Sequence, residues 1–400
     1  MIDSKPFFSI VLPTKDRPDL INYFINCTLN QTFHDFELII CDNSSDELTQ
    51  QVISQFDDNR IVNLRTGNLK MSENWNNGIH AISGQYLVLM SDKGLLKQGS
   101  LDYLNSLINN SNHECITWSV DPFIDPDTLI QSKLREYSRE VNSHDLIKFM
   151  LAADWESFDI APMHCTSCVS TKLVSEIITK HKNLSQELNP DYTMAMQILL
   201  ATPSIFHLNQ NLAVLRRPSL SDGYGNGSSF VKKTSQSKSF MLEHADWINR
   251  TNKYEDIPIK DNPFILDIML KDVYTVLHDN EKDPNFFLSK RERLISYYSF
   301  TYAEILWRTR VGVNMNEEYK LWFKSLSQES YEIQSNVLNK KKNLRLKAVQ
   351  ANLMYFIKTN IFTLPLLHLY RLIRYRNTGL KFSNLEDCFN SIVIKEYEKH

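Results

Sequence analysis

The first half of the chain alternates short apolar runs with stretches in which apolar residues recur at helical spacing. Phe7 to Leu12 reads Phe-Phe-Ser-Ile-Val-Leu, and comparable runs occupy Phe36 to Cys41, Ile61 to Leu64 and Tyr86 to Met90. Short apolar runs bounded by turn residues predict strands buried on both faces of a sheet. Between them, Leu20, Ile21, Phe24, Ile25 and Leu29 mark one helix, Leu48, Val52, Ile53 and Phe56 a second, and Trp75, Ile79 and Ile82 a third. Strands alternating with helices predict βαβ units and a parallel sheet. Right-handed crossovers place the loops after all these strands on one edge. Thr14 to Arg17, Asp42 to Asp46 and Ser91 to Lys93 are therefore expected to converge. That edge is where open α/β sheets bind ligands.

Further along, Leu101, Leu104 and Ile108 predict a helix, and Cys115 to Val120 a strand. Asp121 to Leu134 is punctuated by Pro and Asp and reads as loop. Helices follow from Ser143, with Leu146, Ile147, Met150 and Leu151 on one face, and over Lys172 to His181. Asn189-Pro190-Asp191 has the form of a helix start: Asn as cap, Pro in the first turn, and an acid near the positive end of the helix. Ser204 to Leu208 and Leu212 to Arg216 read as short strands. Ser219 to Ser229 carries Gly223, Gly225 and Gly227 and predicts a flexible connection or a mobile lid, with Arg216 and Arg217 beside it. Beyond it the pattern is helical, including an aromatic stretch from Leu294 to Trp307 that could pack internally or against a second subunit. Two domains are expected, 1–232 and 233–400.

Composition narrows the function classes. With 44 basic against 47 acidic residues, the net charge of -3 gives no global pull towards nucleic acid or anionic membrane. Ten glycines in 400 residues argue against a Gly-rich phosphate loop. Six scattered cysteines fit a reducing cytosol better than a disulfide framework. His164-Cys165-Thr166-Ser167-Cys168 holds one C-x-x-C without a second pair, a weak zinc signal beside ordinary packing. No signal peptide and no run long enough to span a membrane is evident, which predicts a cytoplasmic protein. Ile361 to Arg376 mixes apolar residues with His368, Arg371, Arg374 and Arg376. It could lie on the inner face of a membrane or pack as an ordinary amphipathic helix.

Several ordered motifs in the first two hundred residues resemble those of the family 2 glycosyltransferases. Ser9 to Arg17 looks like the opening strand and nucleotide loop, with Pro13, Thr14, Lys15 and Arg17 as donor-binding candidates. Phe36 to Ser45 looks like the second strand, with Asp42 at the base-binding acid. Asn74-Trp75-Asn76-Asn77-Gly78 looks like the helix before the metal strand. Ser91-Asp92-Lys93 falls where the family carries Asp-any-Asp, and Pro190-Asp191-Tyr192 where many members carry the acceptor-activating carboxylate. The resemblance implies a GT-A fold, a Rossmann-like and mostly parallel sheet with flanking helices, here followed by an all-α domain that has no named counterpart.

It also implies transfer of a sugar with inversion, from a nucleotide diphosphate donor, first of all a UDP-sugar, to a glycan or lipid-linked acceptor in surface polysaccharide assembly. Asp191 would be the catalytic base, and Asp92 would contact a divalent Mn²⁺ or Mg²⁺. The departure from the pattern leaves three readings. Asp92 alone could suffice with substrate phosphates, the Lys93 ammonium could stand where the metal would, or the chain could be a degenerate module that binds a nucleotide sugar without turnover. A nucleotidyltransferase is a weaker alternative, since no basic Gly-rich loop follows the first strand.

Overall fold

The structure is a computed structural model that describes residues 5–124, 128–130, 137–153, 160–186, 189–217, 249–259, 265–310, 314–340 and 379–381. The chain forms two compact units. One comprises Met1–Ile147, Glu156–Pro218 and Gly379–His400, the other Lys148–Trp155 and Ser219–Thr378. The border expected at 232 lies outside the described residues, as do the glycine-rich stretch Ser219 to Ser229 and the arginine-bearing stretch Ile361 to Arg376.

The first unit opens with β1 (Phe8–Thr14), α1 (Pro18–Leu29), β2 (Phe36–Asp42), α2 (Leu48–Ile53), β3 (Ile61–Arg65), α3 (Met71–His80) and β4 (Tyr86–Leu89). It continues through β5 (Gly94–Leu96), α4 (Ser100–Ser111), β6 (Cys115–Thr117), β7 (Val120–Ile124), β8 (Thr128–Ile130), β9 (Arg139–Asn142), α5 (Ser143–Leu151), β10 (Ser167–Ser170), α6 (Thr171–His181), α7 (Pro190–Ala201), β11 (Ser204–His207) and β12 (Ala213–Arg217). An eight-stranded sheet runs in the order β3-β2-β1-β4-β10-β6-β11-β9. Its first four strands are parallel, and β10 enters antiparallel to β4. This is the mostly parallel sheet with flanking helices that the sequence leads one to expect.

Alternation along β1 explains why both faces are covered. Phe8, Ile10 and Leu12 pack with Ile21, Phe24 and Ile25 of α1 and with Leu101, Leu104 and Ile108 of α4. Val11 points the other way, to the face on which Gly78 of α3 rests. Burying aliphatic side chains on both faces contributes about 1.5–3 kcal/mol for each one fully removed from water.

A second sheet has the order β13-β8-β7-β12-β5, where β13 is Gly379–Lys381. Two of its strands overturn the reading of Asp121 to Leu134 as loop. Val120–Ile124 pairs in parallel with β12, and Thr128–Ile130 turns back antiparallel to it. The acid that looked like punctuation is compensated within the sheet. Asp121 is 2% exposed and accepts hydrogen bonds from Lys97 Nζ at 2.6 Å and Asn211 Nδ2 at 2.7 Å.

Among its described residues the second unit is helical: α8 (Ile265–Asp279), α9 (Lys290–Arg310), α10 (Asn316–Leu326) and a further helical segment at 331–340. The aromatic stretch packs internally. Tyr297, Tyr298 and Tyr302 of α9 are buried, and Trp322 of α10 donates its indole N–H to the Tyr298 carbonyl at 2.9 Å. The Tyr298 hydroxyl meets Ser325 Oγ at 2.8 Å and donates to Glu329 at 3.0 Å.

At the edge where the parallel strands begin, Gly84 brings the chain hard against β1. A Cβ there would lie 2.8 Å from Ser9 Oγ and 2.9 Å from both Phe8 C and Ser9 N. The Gly84 amide donates to Ser9 Oγ at 2.8 Å and to Glu37 at 3.2 Å. The obstacle is backbone, which cannot rotate away. Gly84→Ala is expected to destabilise the protein by about 1–3 kcal/mol, read as a lower denaturant midpoint; an unchanged midpoint would contradict this close approach.

Candidate active site

The register of the parallel strands fixes the site. Phe8 pairs with Phe36 and Thr14 with Asp42 across β1 and β2, and Asp42 pairs with Arg65 of β3. On the other side β1 pairs Phe8 with Tyr86, and the same offset of 78 residues joins Thr14 to Asp92 by a 2.9 Å bond from Thr14 Oγ1 to Asp92 Oδ2. Arg65, Asp42, Thr14 and Asp92 thus form one row along the carboxyl edge of the sheet. The three predicted loops converge as expected. Asn43 N donates to the Thr14 carbonyl at 2.9 Å, Asp16 N to Ser44 Oγ at 2.8 Å, and Ser45 N to Asp16 Oδ1 at 2.7 Å. The Ser45 amide holds the Asp16 carboxyl below its ordinary value.

Asp42 is fully buried at the end of β2. Its Oδ1 accepts from Ser44 N at 2.9 Å, and its Oδ2 from Gln50 Nε2 at 2.6 Å and Arg65 Nη1 at 2.8 Å. A buried carboxylate needs such compensation, because an unpaired one is costly. Asn74 lies on the same side. Its Nδ2 donates to the Cys41 carbonyl at 3.0 Å and its Oδ1 accepts from Thr66 at 2.6 Å, so it fixes the loop after β3 and does not join Asp92 and Asp191. Lys15 is exposed and donates to Asn68 at 3.4 Å, and Pro13 pairs with Cys41 in the sheet.

At the end of β4, Asp92 is 5% exposed, and Arg17, at the start of α1, donates from Nη1 to its Oδ1 at 3.0 Å. Gly94 N closes the turn onto the Ser91 carbonyl at 2.8 Å, and the Lys93 carbonyl accepts from Arg216 N at 2.8 Å. β5 and β12 therefore hold the backbone of this turn.

The turn ahead of the antiparallel strand β10 supplies His164, which the sequence leaves open between lining the site and ordinary packing. The pairing of Val169 with Leu87 and Ser170 with Tyr86 runs the chain back along β4, and Cys165 N donates to the Leu89 carbonyl at 2.7 Å. Cys165 takes a left-handed conformation, φ 62°. His164 arrives there beside the Ser91-Asp92-Lys93 turn, its ring edge-on to Trp75 at 5.2 Å. Among the described residues its Nδ1 is buried without a hydrogen-bond partner, and it lies 3.9 Å from Oδ2 of Asp191, in the first turn of α7. Burial pushes the imidazole below the ordinary histidine value and Lys93 adds to this, while Asp191 and Asp92 oppose it. The structure thus brings Asp191, His164, Asp92 and Lys93 together. The signal available in sequence was the position of His164 just ahead of a strand neighbouring β4.

The donor set does not fit a divalent ion held at Ser91-Asp92-Lys93. Both Asp92 oxygens already accept hydrogen bonds, the neighbours are a hydroxyl and an ammonium, and among the described residues no group of three His, Cys, Asp or Glu could hold a metal. Cys165 and Cys168 are buried thiols, that of Cys165 pushed up to about 12 by burial.

Residues 9–168 match the family model described as glycosyl transferase family 2. Over 108 residues the chain is 33% identical to a GalNAc(5)-diNAcBac-PP-undecaprenol beta-1,3-glucosyltransferase of Campylobacter jejuni, covering 26% of this chain and 35% of that relative's length. The fold is similar to S. aureus TarS 1-349 in complex with UDP-GlcNAc, at a TM-score of 0.48 and 14% identity over 86% of this chain and 92% of that one. It is also similar to the mannosyltransferase PcManGT of Pyrobaculum calidifontis in complex with GDP-Man and Mn²⁺, at a TM-score of 0.40 and 11% identity over 88% of each chain.

The depressed His164 value has a consequence for stability. An unfolded imidazole titrates near 6.5, and the folded one titrates lower. The unfolded state therefore binds more protons in that window. The contribution is complete above about pH 6.5 and is lost as pH falls through the folded value. Melting temperature measured from pH 7.5 down to 5 should fall less steeply for His164→Gln than for the wild type; parallel curves would contradict the assignment.

Proposed function

We propose that the protein is an inverting glycosyltransferase that moves a sugar from a nucleotide diphosphate donor, first of all a UDP-sugar, to a glycan or lipid-linked acceptor. The observation that carries this reading is the meeting of Asp191 with the end of β4 through His164, within a fold whose segment 9–168 matches the family 2 model. A carboxylate facing the cationic turn that would receive a diphosphate is the arrangement a single displacement requires.

In that reading the row Arg65–Asp42–Thr14 and the Asp16–Ser45 stitching frame the nucleotide, with Asp42 accepting from the base edge and Lys15, Arg17 and Lys93 near ribose and diphosphate. The acceptor hydroxyl attacks the anomeric carbon from the side opposite the diphosphate. Its proton passes to the Asp191 carboxylate, the new C–O bond forms as the bond to the diphosphate oxygen breaks, and the nucleoside diphosphate leaves. His164 holds an uncharged nitrogen 3.9 Å from that carboxylate, a position from which it orients the base. The name of the Campylobacter relative supports a lipid-linked acceptor and, with it, a peripheral place at the inner membrane face; among the described residues no helix is long and apolar enough to cross a membrane.

Lys93 favours a second reading, a module that binds the nucleotide sugar without turnover. One comparison separates the two. Incubated with a panel of UDP-, GDP- and dTDP-sugars, the wild type is expected to release nucleoside diphosphate from one donor. Asp191→Asn should lower that rate by about 10²–10⁴-fold with donor affinity unchanged. Donor binding with equal, background release by both proteins would favour the module.

A further inference from the structure

We infer that His164 is the positioning residue of the base: its Nδ1 bears the ring proton, donates a hydrogen bond to Asp191 Oδ2 and holds that carboxylate in the orientation that meets the acceptor hydroxyl. This rests on the transferase reading above and deepens it, by naming the atom that orients Asp191 and the contacts that aim that atom.

Among the described residues, Nδ1 is buried and has no hydrogen-bond partner, although 28% of the His164 side chain is exposed. A buried polar atom left unsatisfied is costly and asks for an explanation. Asp191 Oδ2 stands 3.9 Å away, beyond a hydrogen bond and within one small rotation of the carboxylate. Catalytic contacts are often this long in a free enzyme and tighten when substrate binds. An ionised carboxylate only accepts, so the nitrogen that faces it is the one that bears hydrogen. Burial lowers the ring's value below its ordinary 6.5, with Lys93 adding to this and Asp191 and Asp92 opposing it. At about pH 7.5 the ring is therefore neutral and holds a single N–H.

The ring is aimed by its neighbours. Cys165 takes φ 62°, a strained conformation for a residue with a side chain, and its surroundings enforce it. Its amide donates to the Leu89 carbonyl at 2.7 Å, and its carbonyl accepts from the indole N–H of the fully buried Trp118 at 2.9 Å. A side chain on Gly94 would run into Cys165 Sγ, so glycine lets the turn after β4 lie this close. Ahead of His164, the Met163 carbonyl accepts from Thr166 Oγ1 at 3.1 Å and Ser167 Oγ at 2.7 Å. Trp75 of α3 meets the imidazole edge-on at 5.2 Å. The turn that carries His164 is thereby fastened to β4 and to its end.

Asp191 is fixed differently. Thr193 Oγ1 accepts from Gln186 N at 2.8 Å and donates to the Gln186 carbonyl at 2.8 Å, which anchors the start of α7. Asp191 Oδ1 accepts from Tyr192 N at 3.1 Å, a bond that ties the carboxylate to its own helix and not to the sheet edge. His164 supplies the tie to that edge. A displacement of about 1 Å in a reacting group costs about 10²-fold in rate, so a fixed donor beside a rotatable base has a measurable effect.

The test measures nucleoside diphosphate release and donor affinity for the full-length wild type, His164→Ala, His164→Gln and His164→Asn, with the nucleotide sugar that the wild type turns over. Asn carries its amide N–H at the δ position that Nδ1 occupies, and Gln carries it at the ε position. Expected is a kcat lower by about 10–100-fold for Ala and Gln, recovery to within about fivefold of the wild type for Asn, and donor affinity within about twofold throughout. In the Asp191→Asn background, His164→Ala should change the rate by less than about twofold, because the group it positions is gone. A purely structural His164 would weaken donor binding together with the rate, or add its effect to that of Asp191→Asn. Either outcome overturns the inference and leaves the transferase reading intact, as does an alanine variant as fast as the wild type. Gln restoring the rate as well as Asn overturns the assignment to Nδ1, and the inference with it. A wild type that binds a donor and releases no nucleoside diphosphate overturns the transferase reading itself, on which the inference rests.

Discussion

The site depends on β1 lying in register between β2 and β4. Because Phe8 is level with both Phe36 and Tyr86, Thr14 ends level with Asp42 on one side and reaches Asp92 on the other. A shift of one residue in either pairing would turn every side chain of that strand to the opposite face. The buried alternation of Phe8, Ile10 and Leu12 against Val11 excludes such a shift energetically. The chemistry at the edge is therefore set by packing in the middle of the sheet. Gly84, pressed against Phe8 and Ser9 at the opposite edge, fixes where β4 begins and so where Asp92 falls.

Charge along that edge is arranged in compensated pairs. Arg65 answers Asp42, Arg17 answers Asp92, and Lys93 stands near His164 and Asp191. A buried carboxylate left unpaired is costly, and the paired cations offset that cost. His164 differs from the rest. Among the described residues its buried Nδ1 has no hydrogen-bond partner, and burial lowers the value of the ring beside Asp191, whose Oδ1 accepts from Tyr192 N at 3.1 Å.

Much of the fold was legible because parallel strands covered on both faces are written as unbroken apolar runs, and Phe7 to Leu12, Phe36 to Cys41 and Tyr86 to Met90 are such runs. The convergence of Thr14, Asp42 and Asp92 followed from crossover handedness alone. Asp121 and Pro122 hid β7, since a buried acid satisfied by Lys97 and Asn211 looks the same in sequence as a turn. His164 stayed undecided between a site residue and a packed one for a related reason. The strand that delivers it, Ser167–Ser170, is too short to show a period, and the left-handed Cys165 that aims it leaves no mark in composition. The Arg65–Asp42 pair, too, depends on a register between strands that local sequence does not carry.

The central claim is that the carboxyl edge of β1, β2 and β4 receives a nucleoside diphosphate. A crystal structure of the protein soaked with UDP in metal-free buffer tests it most directly. The account predicts the base beside Asp42 and the diphosphate against Arg17 and Lys93, with Asp191 facing the open side. UDP bound elsewhere, or a diphosphate turned away from the Ser91-Asp92-Lys93 turn, would contradict it.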